Sequence, residues 1–481
     1  MLKTSSVDSS SKSLIAQGKD CAPPLTAKLA PWMKNLIDQP GKLDSWFQAE
    51  GAPVHVVETA EFKRNIKAIQ GALSERTVAG GIFFGRKANK LPWFVSAAQE
   101  EGIGVDTSSL EELRETLELG IKPKDIVITA ICKETELIRL ATAEGCLLII
   151  DNLDELQLVK SIAQSLNKTA RIGLRFSGFE INGRQIFSRF GFPVDEWPQL
   201  SAQIFQDNWL NVELLHAHLD RYDIEERACA ARKLIELADN AKEKGHAISS
   251  LDLGGGILIR YLEKEEEWKT FLSSLKASVS GEQSSFTYRA DGLGYHKVGE
   301  EVFGTADFYP EWNNLSKEKF VSAILDSKEN GIPLYKEIIE RGLKLFFEPG
   351  RALLDNTGIT LAKVAFRKRD TLGNLLIGLS MNKTNLHPFR TEFCLDPIFI
   401  NTENRDIISE GAFLVGHMLS EGDLILKRKL SINHLPLPGD IVLFPNTAGY
   451  FTHLIETQMH KKELPKNILL DSKTQEIKAI L

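Results

Sequence analysis

GIFFGRK at residues 81–87 and LKLFFE at residues 343–348 are the first and last of eight short apolar runs in this chain. Each run is nearly continuous in apolar residues and rich in β-branched or aromatic side chains, which is typical of a strand covered on both faces. The runs between them are GIGVD (102–106), DIVITA (125–130), LLIID (147–151), RIGLRF (171–176), ELLHAH (213–218) and SSLDL (249–253). Helical patterns such as SLEELRETLEL (109–119) separate the runs, and this alternation predicts a (β/α)₈ TIM barrel.

The pattern of the sequence changes after the last of these runs. Strand-like segments such as GITLAKVAFRK (358–368) and GDIVLF (439–444) are separated by Gly, Pro and Asn turns, and helical periodicity fades. We therefore expect an α/β fold in which a TIM barrel is followed by a mainly β C-terminal domain. The expected divisions are a flexible tail over residues 1–30, a segment over 31–60 that joins the β domain, the barrel over 61–350, and the β domain over 351–481.

An insertion is predicted around residues 258–343, because 91 residues separate Gly256 from Glu348 where a barrel needs only a helix and short loops. Two interpretations stay open. The insertion is either a surface excursion with its own small core or a lid that faces the substrate, since long loops in compact domains are often functional.

The composition of the 481 residues narrows the class of protein. The hydrophobic fraction of 43% and the charged fraction of 26% are ordinary for a soluble globular protein. The net charge is −7 without a basic block, so no nucleic acid partner is expected, and no run reaches the ~18 apolar residues that cross a bilayer. Five cysteines without CxxC spacing indicate neither a zinc site nor a disulfide framework, and we expect a cytoplasmic protein without a metal.

Polar residues stand at the carboxyl ends of the predicted strands, where barrels of this type carry their active sites. They are one lysine, a histidine pair, acids, an arginine and two glycine-containing turns, namely Lys87, Asp106, Arg175, His216, His218, Gly254 to Gly256, and Glu348 to Arg351. If these side chains meet at one end of the barrel, they indicate an active site more strongly together than any one of them does alone.

The residue types suggest chemistry on a phosphorylated pyridine cofactor. A lysine buried at a barrel mouth would lose solvation, its pKa would fall, and it can form a Schiff base. Glycines after strand seven let backbone N–H groups approach a phosphate, and Arg351 can add a charged contact. A carboxylate such as Glu348 keeps a pyridine nitrogen protonated, which makes the ring an electron sink. His218 can stack on a flat ring, while Asp106 and Glu112 either orient these groups or cap the next helix.

The motifs around these residues together resemble a known family. RKANK at Lys87, GVDTSSLEEL at Asp106, LRF at Arg175, HAHL at His218, LDLGGG and FEPGR occur in the order and rough spacing of the group IV, fold type III PLP-dependent decarboxylases, relatives of diaminopimelate, ornithine and arginine decarboxylase. GDIVLFPNTAGYF, ending near Tyr450, resembles a C-terminal motif of the same family. The resemblance runs from about residue 45 to 460.

The resemblance implies pyridoxal 5′-phosphate (PLP) as the cofactor and a homodimer whose active sites are shared between subunits. By position, Lys87 would form the aldimine with PLP, Glu348 would face the pyridine nitrogen and His218 would stack on the ring. The other implied cofactor-binding residues are Asp106, Arg175, Gly255, Gly256, Gly350, Arg351 and Tyr450.

Several positions depart from the family pattern. Asp220 and Arg221 replace the usual glycine-serine pair after the stacking histidine, and Arg221 could serve the phosphate instead. The family's active-site cysteine, donated by the partner, falls on Leu419, so the proton donor is open between His417, Ser420 and Glu421. Ser420 and Glu421 stand where relatives read substrate amines. His387 replaces the arginine that diaminopimelate decarboxylases use for the distal carboxylate, which argues against diaminopimelate as the substrate.

Three functions remain open from the sequence. The first is a PLP-dependent carboxy-lyase that acts on a small amino acid or amino-acid conjugate. The second is an epimerase or racemase on the same scaffold, although Glu348 favours the strong electron sink that decarboxylation needs. The third is a non-catalytic homologue that acts as a regulator. It is supported by the missing cysteine, but the retained cofactor residues argue against it.

Overall fold

Eight parallel strands form a closed barrel in the computed structural model, which describes residues 20–47, 53–387, 392–400 and 407–481. Each strand pairs with its two neighbours, and β6 pairs with β5 to close the ring. The barrel strands are β1 Gly80–Gly85, β2 Gly104–Thr107, β3 Ile126–Ile128, β4 Leu147–Ile150, β5 Ala170–Ser177, β6 Leu210–Ala217, β7 Ser250–Asp252 and β8 Lys344–Phe347. They coincide with the eight apolar runs, so the predicted barrel is confirmed.

Helices alternate with the barrel strands, and local sequence signals fix their ends. The side chain of Ser109 accepts the Glu112 N–H at the start of one helix, and Gly145 ends another at a φ of 83°. The helices are Pro31–Ile37, Pro40–Ser45, Ala60–Ser74, Pro92–Glu100, Leu110–Glu118, Thr135–Glu144, Leu153–Leu166, Trp197–Ile204, Ile224–Glu243, Glu265–Ser280, Glu318–Asp326 and Leu334–Glu340. None of these described helices is long and apolar enough to cross a bilayer.

A mostly antiparallel sheet forms the second domain. Its strands are Val54–Val57, Gly358–Arg369, Leu375–Leu379, Ile398–Phe399, Ile407–Val415, Leu430–His434, Ile441–Pro445, Lys466–Leu470 and Ile477–Ile480. Val54–Val57 lies between Gly358–Arg369 and Lys466–Leu470, so a segment that precedes the barrel in sequence sits inside this sheet.

The first described residues pack against both parts of the molecule. The Ala22 N–H donates to the Lys429 carbonyl, the Lys28 N–H donates to the Tyr261 carbonyl, and the Leu25 side chain is fully buried. The prediction of a flexible tail is therefore wrong for residues 20–30, while residues 1–19 lie outside the described range. The Ser-rich composition that suggested the tail ends before these contacts begin.

The segment around residues 258–343 packs partly on itself and partly on the barrel. Trp268, Phe271 and Phe308 form an aromatic cluster of their own, with ring centroids 5.6 to 6.0 Å apart. The helix Glu318–Asp326 returns to the barrel and packs on the helix Ala60–Ser74. In addition, the Tyr309 ring lies against Arg351 at the barrel mouth.

The barrel interior supports the site from below. Phe83, Val127, Leu147, Ile149 and Leu214 form a separate buried cluster inside the ring of strands. Packing is tight there, because a Cβ at Gly104 would lie 2.3 Å from the Phe83 ring. A dense interior of this kind holds the strand ends, and the side chains they carry, in fixed positions.

Candidate active site

The carboxyl ends of the barrel strands surround a cavity of about 440 Å³. Four of the predicted site residues line it, namely Lys87, Arg175, His218 and Glu348. His216 and the turn Thr129–Cys132 complete much of its wall. The sequence-predicted convergence at one mouth is therefore present in the structure for these four residues.

Glu348, immediately after β8, lies at the bottom of the cavity with 1% of its surface exposed. Its Oε1 is 3.3 Å from His216 Nε2 and its Oε2 is 3.8 Å from His218 Nδ1. Neither oxygen has a well-oriented hydrogen bond within the described residues. Burial alone would raise the pKa of Glu348, but contacts with His216 and His218 and the charge of Lys87 lower it well below its usual value. The site thus contains a buried carboxylate that is ready to receive a donor.

Lys87 lies on a single 3₁₀ turn, Arg86–Ala88, directly after β1. Its Nζ is 3.9 Å from Asp106 Oδ2, and 40% of the side chain is exposed toward the mouth. Burial lowers the pKa of Lys87, but the charges of Asp106 and Glu348 outweigh that effect and the pKa lies above its usual value. The expected fall in this pKa is therefore wrong. The prediction considered desolvation and left out the two carboxylates that the barrel brings alongside.

Asp106 ends β2 and is buried beneath the lysine. Its Oδ1 accepts a hydrogen bond of 2.6 Å from the Thr129 hydroxyl, whereas Oδ2 has no hydrogen-bond partner within the described residues. Burial and the nearby Glu348 raise the pKa of Asp106 to about 7. Glu112 has the other role that the sequence left open, because its Oε2 accepts the Ser108 N–H at 2.7 Å and so caps the helix start.

His218 is fixed by the glycine turn that follows β7. The Gly255 N–H lies 3.2 Å from His218 Nδ1, so the glycine turn holds the ring in place. Burial lowers the pKa of His218 to about 3, so the ring is neutral at physiological pH. A neutral, immobilised imidazole suits contact with a flat ligand.

Arg227 connects the same turn to the loop after β6. Its buried guanidinium donates to the carbonyls of Leu253, Leu219 and Arg221, at 3.3, 3.1 and 3.0 Å. A Cβ at Gly256 would lie 2.4 Å from Arg227 Nη2, so a glycine is required where this side chain passes. The sequence interpretation missed Arg227, because an arginine in the middle of the helical segment 224–243 gives no signal of burial.

Gly254→Ala is expected to weaken cofactor binding, since its Cβ would lie 2.4 Å from His218 Nδ1. Gly245→Ala is the matched control, because Gly245 also has a positive φ, 86° against 65° at Gly254, but has open space around it. Both variants should lose about 1 kcal/mol of unfolding free energy from backbone strain. PLP titration by fluorescence should show a loss of affinity of about tenfold or more in Gly254→Ala only, since each tenfold costs about 1.4 kcal/mol. Equal PLP affinity in the two variants would contradict this role for the turn.

Arg351, in the turn that follows β8, lies beside Tyr450 of the β domain. The guanidinium donates to the Tyr261 hydroxyl at 3.1 Å and to the Gly449 carbonyl at 3.3 Å, and it lies 4.4 Å from the centre of the Tyr309 ring. The Tyr450 ring is 5.0 Å away. A Cβ at Gly350 would lie 2.8 Å from the Tyr450 hydroxyl, so that glycine leaves room for this ring. The result is a cation held beside tyrosine rings and backbone groups, which suits an anion such as phosphate.

Arg175 reaches the cavity from β5. Its Nη1 lies 3.7 Å from Asp151 Oδ1 and its guanidinium lies 4.5 Å from the centre of the Phe190 ring. Asp151 also accepts the Gly191 N–H at 3.0 Å. These contacts hold the arginine in the cavity wall.

The side chain of Arg221 does not point toward the glycine turns. The side chain is 62% exposed and its Nη1 is 3.4 Å from Glu226 Oε1, at the start of the helix Ile224–Glu243. In this geometry the guanidinium is engaged by an acid, so its predicted contact with phosphate requires a change of rotamer.

The three predicted substrate-binding residues lie in the β domain and do not line the Lys87 cavity. Ser420 and Glu421 border a larger cavity of about 1040 Å³, together with Leu419 and His417. Glu421 Oε2 accepts a hydrogen bond of 3.1 Å from Arg289. His387 is half-buried, burial and nearby lysines lower its pKa to about 4, and residues 388–391 after it lie outside the described range. Within one chain, these residues therefore lie outside the cavity that contains Lys87.

The sequence provided only weak evidence for two further residues of the site. His216 was visible as the other half of HAH, but nothing in the spacing indicated that it would contact Glu348. Asp252, at the end of β7, is fully buried and accepts the Gly254 N–H at 2.8 Å. It reads as an ordinary strand residue in the sequence, because a side chain that braces a turn has no periodic pattern.

The free polar atoms of the cavity fit PLP. Glu348 offers an unengaged carboxylate for a pyridinium N–H, and His218 offers a neutral ring beside it. Arg351 offers a charge for a phosphate, whereas the N–H groups of Gly254 and Gly255 already donate to Asp252 and His218. The ligand atoms of His216, His218 and Glu348 also lie within 4.8 Å of one another, so these residues have the types and spacing for a metal ion as well.

Comparison with known proteins agrees with this geometry. The family model for the pyridoxal-binding domain of pyridoxal-dependent decarboxylases matches residues 59–284. An uncharacterized protein of Sinorhizobium fredii is 29% identical over 430 residues, which cover 88% of each chain. The diaminopimelate decarboxylase of Zymomonas mobilis is 26% identical over 231 residues, 45% of this chain and 54% of that enzyme. The crystal structure of Helicobacter pylori diaminopimelate decarboxylase complexed with L-lysine has a TM-score of 0.67 at 18% identity, covers 90% of this chain and 94% of that one, and supports the fold.

Barrel, β domain and cavity together define a PLP-dependent enzyme of fold type III. Residues 59–284, just under half of the chain, are similar to the pyridoxal-binding domain of the pyridoxal-dependent decarboxylases, and diaminopimelate and ornithine decarboxylases are among the proteins that the chain resembles. The predicted resemblance, cofactor and carboxy-lyase class are therefore confirmed.

Proposed function

We propose that the chain removes the α-carboxylate from an amino acid or an amino-acid conjugate, with PLP held by Lys87. The observation that carries the proposal is Glu348, a buried carboxylate with two unengaged oxygens in the cavity that Lys87 lines. A carboxylate against the pyridine nitrogen favours the strong electron sink that loss of CO₂ requires.

The residues around the cavity then have distinct roles. When bound, PLP supplies the electron sink for the reacting carbon. Lys87 would hold the cofactor and give way to the substrate amine, and Glu348 would hold a proton on its ring nitrogen. His218, as a neutral imidazole, would contact the flat ring. Asp106, with Oδ2 3.9 Å from Lys87 Nζ, would keep the lysine ammonium charged and positioned at the mouth.

The remaining roles concern phosphate. Backbone groups at Gly255, Gly256 and Gly350 together with Arg351 and Tyr450 would hold it, and Arg175 would support the pocket wall. The cradle is supported by the glycine turn, which has no side chains of its own, and by the charge of Arg351 beside Tyr450.

Substrate contacts from a second subunit are part of the proposal. Ser420, Glu421 and His387 lie outside the Lys87 cavity of their own chain, which is consistent with a homodimer in which each β domain completes the site of its partner. His387, unlike an arginine, is neutral at physiological pH, because burial and nearby lysines lower its pKa to about 4. We therefore propose a substrate other than one with a free distal carboxylate at this point.

The decisive experiment incubates the purified chain with PLP and a panel of L-, D- and diamino acids in heavy water, followed by mass spectrometry. A product lighter by CO₂ that carries deuterium at the former α-carbon is expected. Deuterium in an otherwise unchanged amino acid would instead show an epimerase. A chain that binds PLP and changes no substrate, free or conjugated, would refute the proposed reaction and favour the regulator.

A further inference from the structure

Cys132 lies in the wall of the Lys87 cavity, on the turn that follows β3. It is the one exposed cysteine of the five in the chain, all of which lie in described residues. Cys146 and Cys394 are buried, whereas Cys21 and Cys229 are partly buried, and burial raises the thiol pKa of all four. Only Cys132 thus combines access with a place in the site.

The turn that carries Cys132 is pinned at both ends. At one end, the Thr129 hydroxyl donates to Asp106 Oδ1 at 2.6 Å. At the other end, the buried ammonium of Lys133 donates to the carbonyls of Ala130 and Ile149, both at 2.6 Å, and to the carboxylate of Glu155. Because Lys133 points into the protein and is fully engaged, the turn holds Cys132 at the cavity wall.

The same cavity contains independent signs of a ligand site. His216 and Glu348 are buried, and their polar atoms lack well-oriented hydrogen bonds within the described residues. Lys87 and Arg175 add positive charge to the lining. The thiolate is the reactive form of cysteine, and the exposed position of Cys132 in this wall lets a small disulfide reach its sulfur.

Building on the proposed function, we infer that Cys132 is a modification site for small disulfides, and that its modification and PLP binding exclude each other. In the reaction, Cys132 loses its proton to water and its thiolate attacks one sulfur of the disulfide. A new S–S bond forms, the original S–S bond breaks, and the departing thiolate takes up a proton. The attached group then occupies part of a cavity of about 440 Å³, in which the cofactor must also fit.

Labelling of the full chain with iodoacetamide, with and without PLP, tests the exclusion. Peptide mass spectrometry would follow all five cysteines. We expect Cys132 to react at least about tenfold faster than each of the others, and PLP to slow it by about fivefold or more, since burial and ligand contact limit thiol access. Equal labelling of Cys132 with and without PLP would overturn the inference.

Oxidised glutathione tests the modification itself. Treatment should add one glutathione at Cys132, reduce PLP affinity measured by fluorescence titration, and be reversed by dithiothreitol. In Cys132→Ser, PLP affinity should no longer respond to oxidised glutathione, whereas Cys229→Ser should respond like the unmodified sequence. A glutathione adduct that leaves PLP affinity unchanged refutes the inference. Failure of the untreated chain to bind PLP refutes the proposed function, which keeps the two outcomes distinct.

Discussion

Lys87→Ala is expected to abolish covalent retention of PLP and to reduce the decarboxylation rate by on the order of 10³-fold or more, the scale seen when a reacting group is removed. Lys87 is the only lysine that lines the cavity within the described part of the chain. The measurement is borohydride reduction in the presence of PLP, followed by mass spectrometry of the peptide, alongside single-turnover kinetics. The substitution by alanine also removes the ammonium that lies beside Asp106, so the PLP affinity of this variant should be measured separately from its rate.

Lys90→Ala provides the matched control for that prediction. Lys90 lies one turn further along the chain, and its Nζ pairs with Glu456 outside the cavity. It is half exposed, so loss of this surface ion pair should cost at most about 1 kcal/mol of unfolding free energy. Its PLP retention and rate should match those of the unmodified sequence. Retention of reducible PLP in Lys87→Ala would refute the assignment of Lys87.

The fold was accessible from the sequence because barrel strands are buried on both faces. Runs such as GIFFGRK and LKLFFE stand out from the amphipathic helices between them, and their polar final residues mark the mouth. Lys87 and Glu348 were predictable for this reason, since each follows a run directly. Position along a strand fixes which end of the barrel a residue occupies, and that alone brings them together.

The buried side chains that hold the site in place could not be predicted from the sequence in this way. Arg227 and Lys133 have charged side chains, which usually lie at the surface, yet both are buried and satisfied by carbonyl groups. Whether such a side chain points inward depends on carbonyls from other loops, which have no local sequence pattern. The raised pKa of Lys87 has the same origin, because it depends on distances to Asp106 and Glu348 that only the closed barrel establishes.

Ser420 does not line the Lys87 cavity of its own chain. The family resemblance placed it beside a position that relatives donate to the partner's site, so its predicted substrate contact would be made there. The chain places Leu419, 88% exposed, on the surface beside Ser420 rather than in its own barrel mouth.

Glu348→Gln is expected to reduce the decarboxylation rate by about 10²–10³-fold, the typical effect of removing one preorganised electrostatic partner. Glutamine keeps the shape of the buried side chain but has no negative charge to hold a proton on the pyridine nitrogen. PLP attachment to Lys87 should persist, because the substitution leaves the lysine in place. The measurement is the rate at saturating PLP and substrate, with PLP occupancy checked by absorbance. Glu348→Asp, which keeps the charge on a shorter side chain, should show an intermediate rate.

Glu311→Gln separates this effect from the general cost of changing a buried glutamate. Glu311 is fully buried like Glu348, but it does not line the Lys87 cavity, and burial raises its pKa to about 8. Because the Glu311 carboxyl is then largely neutral near pH 7, glutamine resembles its native form, and the rate should fall by less than about threefold. Glu348 is the opposite case, since its pKa lies well below the usual value and the substitution removes a real charge. Equal rates in Glu348→Gln and Glu311→Gln would mean that the charge of Glu348 does not drive the reaction, and the proposed electron sink would then require another source.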